Sequence, residues 1–317
     1  MRGADTTRPS LDVVTVTYNS RKHIDGLIAS VRASAGVDAG IVVVDNASTD
    51  GTADHIRNAH PEVTLIASAE NLGFAAGANA GARASTAPTL AFVNPDVELD
   101  PACLAILASD VEDRAIGMVG PQQHYPDGSW QRSSGAVPGV AEATGRVLGI
   151  AKLQDRLAER RLQRGDGDRV RDVGYVDGAV MVMRRPVFEA VGGFDEAFFL
   201  YAEEADLCAR VRDRGLRVVL DQRAAATHVR GGSWSPDLPE QVRRTLMGQR
   251  AKYQLVRKRS RGPVGPWCYS FLWMVHSFNR GLAARLARRR RGDLDTAYGE
   301  RIELSKAEVR YWRSNLT

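Results

Sequence analysis

Apolar residues along the chain fall into short continuous runs separated by amphipathic stretches. Leu11 to Thr17 is an apolar, β-branched run that predicts a buried strand, followed by Tyr18-Asn19-Ser20 as a turn. His23 to Ala33 then sets Ile24, Leu27, Ile28 and Val31 on one helical face. Ile41 to Val44 predicts a second strand, and the polar Asp45 to Gly51 segment leads into a helix through His55 and Ile56. Val63 to Ala67 makes a third strand, Gly77 to Ala84 a small-residue helix, and Leu90 to Val93 a fourth strand ending in Asn94-Pro95-Asp96. A helix over Pro101 to Leu107 and a strand over Gly117 to Pro121 follow. Tyr125 to Val173, rich in Arg, Gly and Gln, reads as an insertion or flexible loop carrying an amphipathic helix around Leu148 to Leu162. Val176 to Met183 returns to strand, Pro186 to Val191 is a short helix, and Glu203 to Gly215 is a longer one. Val218 and Val219 form a last short strand before Thr227-His228, and beyond Pro239 the chain is basic and helical.

Apolar strands alternating with amphipathic helices predict an α/β fold, with a mostly parallel sheet flanked by helices and a basic helical extension at the C-terminal end. In open sheets of this kind ligands bind beyond the carboxyl ends of the strands. Polar groups collect at those ends: Thr17 to Ser20, Asp45 to Asp50, and Asn94 to Asp96.

The length of 317 residues, with 44% hydrophobic and 26% charged content, suits a globular protein of one large domain or two smaller ones. Cys103, Cys208 and Cys268 are scattered and odd in number, which argues against a disulfide framework or a cysteine zinc site and fits a reducing cytoplasm. Met1 to Ser10 has no apolar core, so no secretory signal is expected. The apolar stretch Trp267 to Phe278 is broken by Ser270, His276 and Ser277 and is shorter than the roughly 20 residues a membrane span needs. The net charge of +5 is unevenly placed, since Arg243 to Arg291 is rich in cations and poor in acids. Such a block suits a polyanionic neighbour or a solvated helical face.

Asp45-Asn46-Ala47-Ser48-Thr49-Asp50-Gly51 follows a strand and opens a helix, so Asp and Ser have capping work available to them. Two acids in one short loop repel unless donors lie between them, and a nucleotide base and ribose would supply such donors. Asn94-Pro95-Asp96 reads either as a turn or as hard-oxygen ligands for Mg2+ or Mn2+ beside a phosphate. In Phe198 to Leu207, apolar and aromatic residues run into Glu203, Glu204 and Asp206. That setting raises carboxyl pKa values and suits a general base, although a helix N-terminus also favours acids. His228 is a candidate third ligand beside Arg230-Gly231-Gly232-Ser233. Asn71, Gly73, Gly77, Asn79 and Gly81 put small residues on a helix that either packs closely or admits a ligand. The order Gly-x-Gly-x-x-Gly is absent, which speaks against a nicotinamide enzyme.

Six segments together resemble the inverting glycosyltransferases of family 2, which have the GT-A fold, and most closely their bacterial rhamnosyltransferase branch. They are VVTVTYNS (13–20), VVVDNASTDGT (42–52), NLGFAAGANAGAR (71–83), FVNPDVEL (92–99), VDGAVMVMRRPVFEAVGGFDEAFFLYAEEADLCARVRDRGLRV (176–218) and THVRGGS (227–233). The resemblance implies a catalytic domain over 1–235 and a separate C-terminal region over 236–317. It makes Asp45 the acid that reads the base, with Thr17, Tyr18, Asn19, Asn71, Gly73, Asn79 and Asn94 on the nucleotide-sugar side. Asp96 matches the last acid of a metal-binding Asp-x-Asp, and His228 a histidine that completes the site. Asp177, Gly178 and Ala179 match the strand facing the acceptor. Glu204 sits where the family carries its base, with Glu203 and Asp206 as supports or rivals. Asn94 in place of the first acid, and Glu204 in place of Asp, are departures from the family pattern.

The resemblance implies a divalent cofactor (Mg2+ or Mn2+) and inverting transfer from a nucleotide sugar, dTDP-L-rhamnose by branch. The acceptor it implies is a glycan or polyprenyl-diphosphate-linked saccharide. Basic residues flanking Trp267 to Phe278 suggest peripheral docking at the inner face of the plasma membrane, with aromatics packed on the catalytic domain as the competing reading. A sugar-phosphate nucleotidyltransferase would want a Gly-rich, Lys- or Arg-bearing loop, and Leu11 to Ser20 has none. A basic nucleic-acid-binding protein would leave the strand-end acids without purpose, so no nucleic acid is expected.

Overall fold

The computed structural model describes residues 10–150, 153, 154, 156, 157, 160, 169–229, 237–291 and 296–316. They form two compact units: one from the described residues of 1–136, 167–199 and 203–233, the other from those of 137–166, 200–202 and 234–317. The second unit thus takes in more than the C-terminal region expected from sequence.

The first unit is a sheet in the order β3-β2-β1-β4-β11-β6-β12-β5. Its strands are β1 (Leu11–Thr17), β2 (Ala39–Asp45), β3 (Thr64–Ala67), β4 (Thr89–Val93), β5 (Val97–Leu99), β6 (Ile116–His124), β11 (Val180–Arg184) and β12 (Arg217–His228). Strands β1 to β4 pair in parallel and β12 runs parallel to β6, while β11 runs antiparallel between β4 and β6. Side chains alternate across β1, so Leu11 and Val13 join one apolar layer and Val14 and Val16 the other. The first layer packs on α1 (Ile24–Arg32) and α4 (Cys103–Asp110). The second packs on α3 (Gly73–Ala84), α6 (Arg185–Ala190) and α7 (Glu203–Asp213). Helix α2 (Thr52–Ala59) contributes Ile56 to the first layer.

Three expectations change. The strand expected over Val176 to Met183 splits into β10 (Tyr175–Val176) and β11, because the Asp177 carboxylate accepts the Ala179 N–H at 3.1 Å and turns the chain. The short strand at Val218-Val219 is twelve residues long, with an irregularity between Asp221 and Ala225 where Asp221 accepts from the Arg223 backbone at 2.7 Å. Polar Asp221-Gln222-Arg223 conceals that continuity in the sequence. The region from Tyr125 to Val173 contains β7 (Trp130–Gln131), β8 (Ser134–Gly135), α5 (Val140–Val147) and β9 (Val170–Asp172). Of the amphipathic stretch at Leu148 to Leu162, residues 151, 152, 155, 158, 159, 161 and 162 lie outside the described residues.

The second unit packs α8 (Leu238–Arg259), α9 (Val264–Arg291) and α10 (Thr296–Ser314) with α5 around Ala143, Val256, Tyr269, Trp273 and Trp312. Arg146 and Lys252 lie over the Trp273 ring at 5.4 and 5.5 Å.

The small residues of α3 serve close packing. A β-carbon on Gly81 would lie 2.4 Å from Val14 Cγ1, and one on Gly77 would lie 2.9 Å from Val16 Cγ1. Gly145 in α5 has nothing within 4 Å of the same position. Alanine gains about 1 kcal/mol of helix propensity over glycine, whereas overpacking a core costs about 1–3 kcal/mol. Gly81→Ala is therefore expected to lower, and Gly145→Ala to raise, the urea midpoint of unfolding.

Candidate active site

Two loops at the carboxyl ends of β1 and β2 are knitted together by side chains. Asp45 is buried and accepts from Thr17 Oγ1 at 2.8 Å, Ser48 N at 3.0 Å and Ser48 Oγ at 2.6 Å. Asn19 N donates to Ser48 Oγ at 2.8 Å, and Asn19 Oδ1 accepts from Thr49 N at 2.8 Å. Asn19 and Ala47 both take left-handed backbone, with φ of 54° and 59°. Asp50 accepts from Arg21 N and Thr52 N, each at 3.0 Å. Burial alone would raise its pKa, but these bonds and one from the Thr52 hydroxyl bring it below the usual range. Both acids of this loop thus accept hydrogen bonds from within the chain, as the capping alternative anticipates. Tyr18 stays 47% exposed at the loop edge. Asn46, not singled out in the sequence, donates to Gly73 O at 2.8 Å while its buried Oδ1 has no hydrogen-bond partner.

Asn71 Oδ1 accepts from Gly73 N at 3.0 Å, and Phe74 N donates to Phe199 O at 2.8 Å. Gly73 has φ +84°, and a β-carbon there would lie 2.3 Å from Phe199 O, so both backbone and packing demand glycine. Asn79 is buried, exchanging bonds with Phe194 N and O and donating to Glu196, each at 2.9 Å. Its amide is engaged in holding the approach to α7.

The turn after β4 meets the turn before β11. Asn94 N donates to Ala179 O at 2.9 Å, beside the Val180–Val93 register pair. β12 pairs with β5 so that His228 stands opposite Val97, and His228 Nε2 comes within 3.4 Å of Asp96 Oδ1. Gln131 Oε1 at 2.9 Å and Gln123 Oε1 at 3.2 Å face His228 Nδ1. Both are acceptors suited to an Nδ1 proton, and Nε2 is the ring nitrogen that faces Asp96. A carboxylate and an imidazole nitrogen turned toward each other, with the far nitrogen anchored, can supply two ligands to a divalent cation. The two glutamines lie in the glutamine-rich stretch around the expected loop, where sequence gave them no role. Arg230 to Ser233, grouped with His228 in the sequence, lie outside the described residues.

The three acids opening α7 have distinct surroundings. Asp206 is fully buried against Arg210, whose Nε donates at 2.7 Å. Glu203 is buried, and its Oε2 has no hydrogen-bond partner. Burial first, then the Glu204 and Asp177 charges, push its pKa well above the usual carboxyl range. Glu204 is half-buried and lies over Gly178, where a β-carbon would be 4.0 Å from its Cδ. Tyr201 and Ala202, just before the helix, have φ of 73° and 67°, sparsely populated values for non-glycine residues.

A further cluster, unforeseen from sequence, joins α1 to α2. Asp25 Oδ1 is 2.6 Å from His55 Nε2 and 2.8 Å from His60 Nε2. Burial would raise the Asp25 pKa, and the imidazole hydrogen bonds outweigh it, bringing the pKa to about 2.

A glycosyl transferase family 2 model matches residues 12–192, and a glycosyl transferase family 21 model matches residues 166–283. The chain is 30% identical over 244 residues to the N-acetylglucosaminyl-diphospho-decaprenol L-rhamnosyltransferase of Mycobacterium tuberculosis, covering 72% of this chain and 78% of that one. It is 24% identical over 233 residues to the low-salt glycan biosynthesis hexosyltransferase Agl10 of Haloferax volcanii, covering 69% and 66%. Among solved structures, the mannosyltransferase PcManGT of Pyrobaculum calidifontis, in complex with GDP-Man and Mn2+, superposes with a TM-score of 0.62 at 18% identity. That match covers 98% of this chain and 88% of the other. Staphylococcus aureus TarS gives a TM-score of 0.55 at 14% identity, covering 97% and 55%. The sheet order and these likenesses are those of the GT-A fold, and the chain belongs to glycosyltransferase family 2.

Proposed function

We propose that this glycosyltransferase moves L-rhamnose from dTDP-L-rhamnose, with inversion, to a hydroxyl of a polyprenyl-diphosphate-linked saccharide. The Asn94–Ala179 hydrogen bond carries the reading, because it sets the Asp96 turn directly against the Asp177-Gly178-Ala179 turn that Glu204 overlies. The rhamnosyltransferase relative supports both the sugar and the lipid-linked acceptor. Such an acceptor would keep the enzyme at the inner face of the plasma membrane.

Asp45, presented by Thr17 and Ser48, reads the base, and Tyr18 and Asn19 form the rim of that pocket. Asp96 and His228 hold a divalent ion, Mg2+ or Mn2+, with Asn94 beside them. When bound, such an ion offsets negative charge on the diphosphate leaving group. The acceptor hydroxyl rests against Asp177 to Ala179, and a Glu204 carboxylate oxygen takes its proton as the oxygen attacks the anomeric carbon from the face opposite the nucleotide. Burial pushes the Glu203 pKa up, and Asp206 pairs with Arg210. Glu204, half-buried over Gly178, is the acid assigned here as the base.

Three outcomes follow. Glu204→Gln should keep donor binding, read as a dTDP-rhamnose thermal shift, and lower kcat by about 10²–10⁴-fold; unchanged turnover would move the base to Glu203 or Asp206. Gln131→Ala releases one anchor of His228 and should raise the Mn2+ concentration for half-maximal activity by about 10–100-fold. In the unfolded chain Glu203 titrates near 4.5, whereas the folded state keeps its proton to higher pH. Its contribution to stability is full below that pH and is lost as pH rises toward the folded value. Glu203→Gln, which cannot ionise, should flatten this fall in a pH series of denaturant midpoints.

A further inference from the structure

Helix α9 presents two apolar faces. One carries Tyr269, Trp273 and Ala284 into the interior of the second unit. The other carries Val264, Trp267, Phe271, Phe278, Leu282 and Leu286, each between 43% and 72% exposed, with half-buried Val275 completing the line. Trp267 and Phe271 stack in parallel, with ring centroids 5.7 Å apart. The steps along this line are 3, 4, 4, 3, 4 and 4 residues, or about 3.7 residues per turn, the period of a straight helix and not the 3.5 of a left-handed coiled coil. No described helix is long and apolar enough to cross a membrane. A second apolar line in the same unit, Ile150, Leu153 and Leu157, is also exposed.

Charge decides between occupants. Residues 241–292 contain fourteen Lys and Arg and no Asp or Glu. Arg257, Lys258, Arg259 and Arg261, in and just after the end of α8, and Arg285 on α9 are exposed, while exposed Arg280 pairs with the buried Glu308 at 3.4 Å. Two copies meeting across the α9 line would set cation against cation, with no acid on that helix to pair with. A surface both apolar and anionic satisfies the line and its flanks together.

We propose that α9 docks the second unit on anionic phospholipid, lying in the headgroup plane with the Val264-to-Leu286 line immersed. Trp267, Phe271 and Phe278 supply the aromatic anchors that favour the interface, and exposed cations such as Arg257, Arg259, Arg261 and Arg285 meet lipid phosphates. The purpose of this docking, though not its physics, rests on the reading of a lipid-linked acceptor.

The test is co-sedimentation of the full chain with vesicles of equal parts phosphatidylglycerol and phosphatidylcholine, and with phosphatidylcholine alone. Binding is expected to the anionic vesicles at low salt and to fall at high salt. The combined Trp267→Ser, Phe271→Ser and Phe278→Ser variant should partition about tenfold or more weakly. Because these side chains are exposed, it should melt as the parent does and retain turnover on a short-chain, water-soluble acceptor. That soluble assay tests the sugar-transfer reading independently of docking. Absent vesicle binding, or binding that survives the triple substitution, overturns the proposal. A dimer that the same substitutions dissociate, with no vesicle binding, assigns the line to a second copy instead.

Discussion

The site depends on the antiparallel return of β11 between β4 and β6. A hydrogen-bonded ladder fixes backbones at a set spacing, so pairing Val180 with Val93 forces the turns beyond them to emerge together. Those turns are Asn94-Pro95-Asp96 and Asp177-Gly178-Ala179, closed on each other by one backbone bond. The pairing of β12 with β5 then delivers His228 to the same place from the far end of the sheet. Segments distant in the sequence are thus registered by main chain.

Carboxylates buried at one end of a sheet need neutralising, and the molecule does it in three different ways. Asp45 is met by hydroxyl and backbone donors, Asp206 by a guanidinium, and Glu203 by a pKa that burial pushes up, which favours its neutral form. Glu204, half-buried over Gly178, and Asp96, 3.4 Å from His228, lie at the turns where substrates are proposed to bind. The Glu203–Asp206 cluster is therefore not electrostatically uniform, and the proposal of Glu204 as base is built on that difference.

Much of this was readable in the sequence because strand and helix periods are local. The positions of β1 to β4 and the acids at their ends followed from apolar runs and what interrupts them. What escaped was non-local. The split of β10 from β11 depends on an Asp177 turn inside an otherwise continuous apolar run, and the length of β12 was masked by Asp221-Gln222-Arg223. Gln123 and Gln131 looked like loop composition, since only the folded sheet shows that their amides reach His228. One partner of Asp50 is equally non-local, since Arg21 N reaches it from the neighbouring loop.

The C-terminal unit shows the opposite limit. Apolar periodicity reports that a face avoids water but does not say what covers it. In the first unit the cover is the sheet, and every line of apolar residues on α1 and α3 ends in the two packed layers. On α9 two such lines share one helix, and only one of them meets Trp312 and its neighbours. A soluble helix that needed only internal packing would place charge on its outer face. This one places tryptophan and phenylalanine there, and its sequence carries arginines and no acid. An apolar line accompanied by cations alone suits a bilayer surface, where acyl chains lie beneath phosphates.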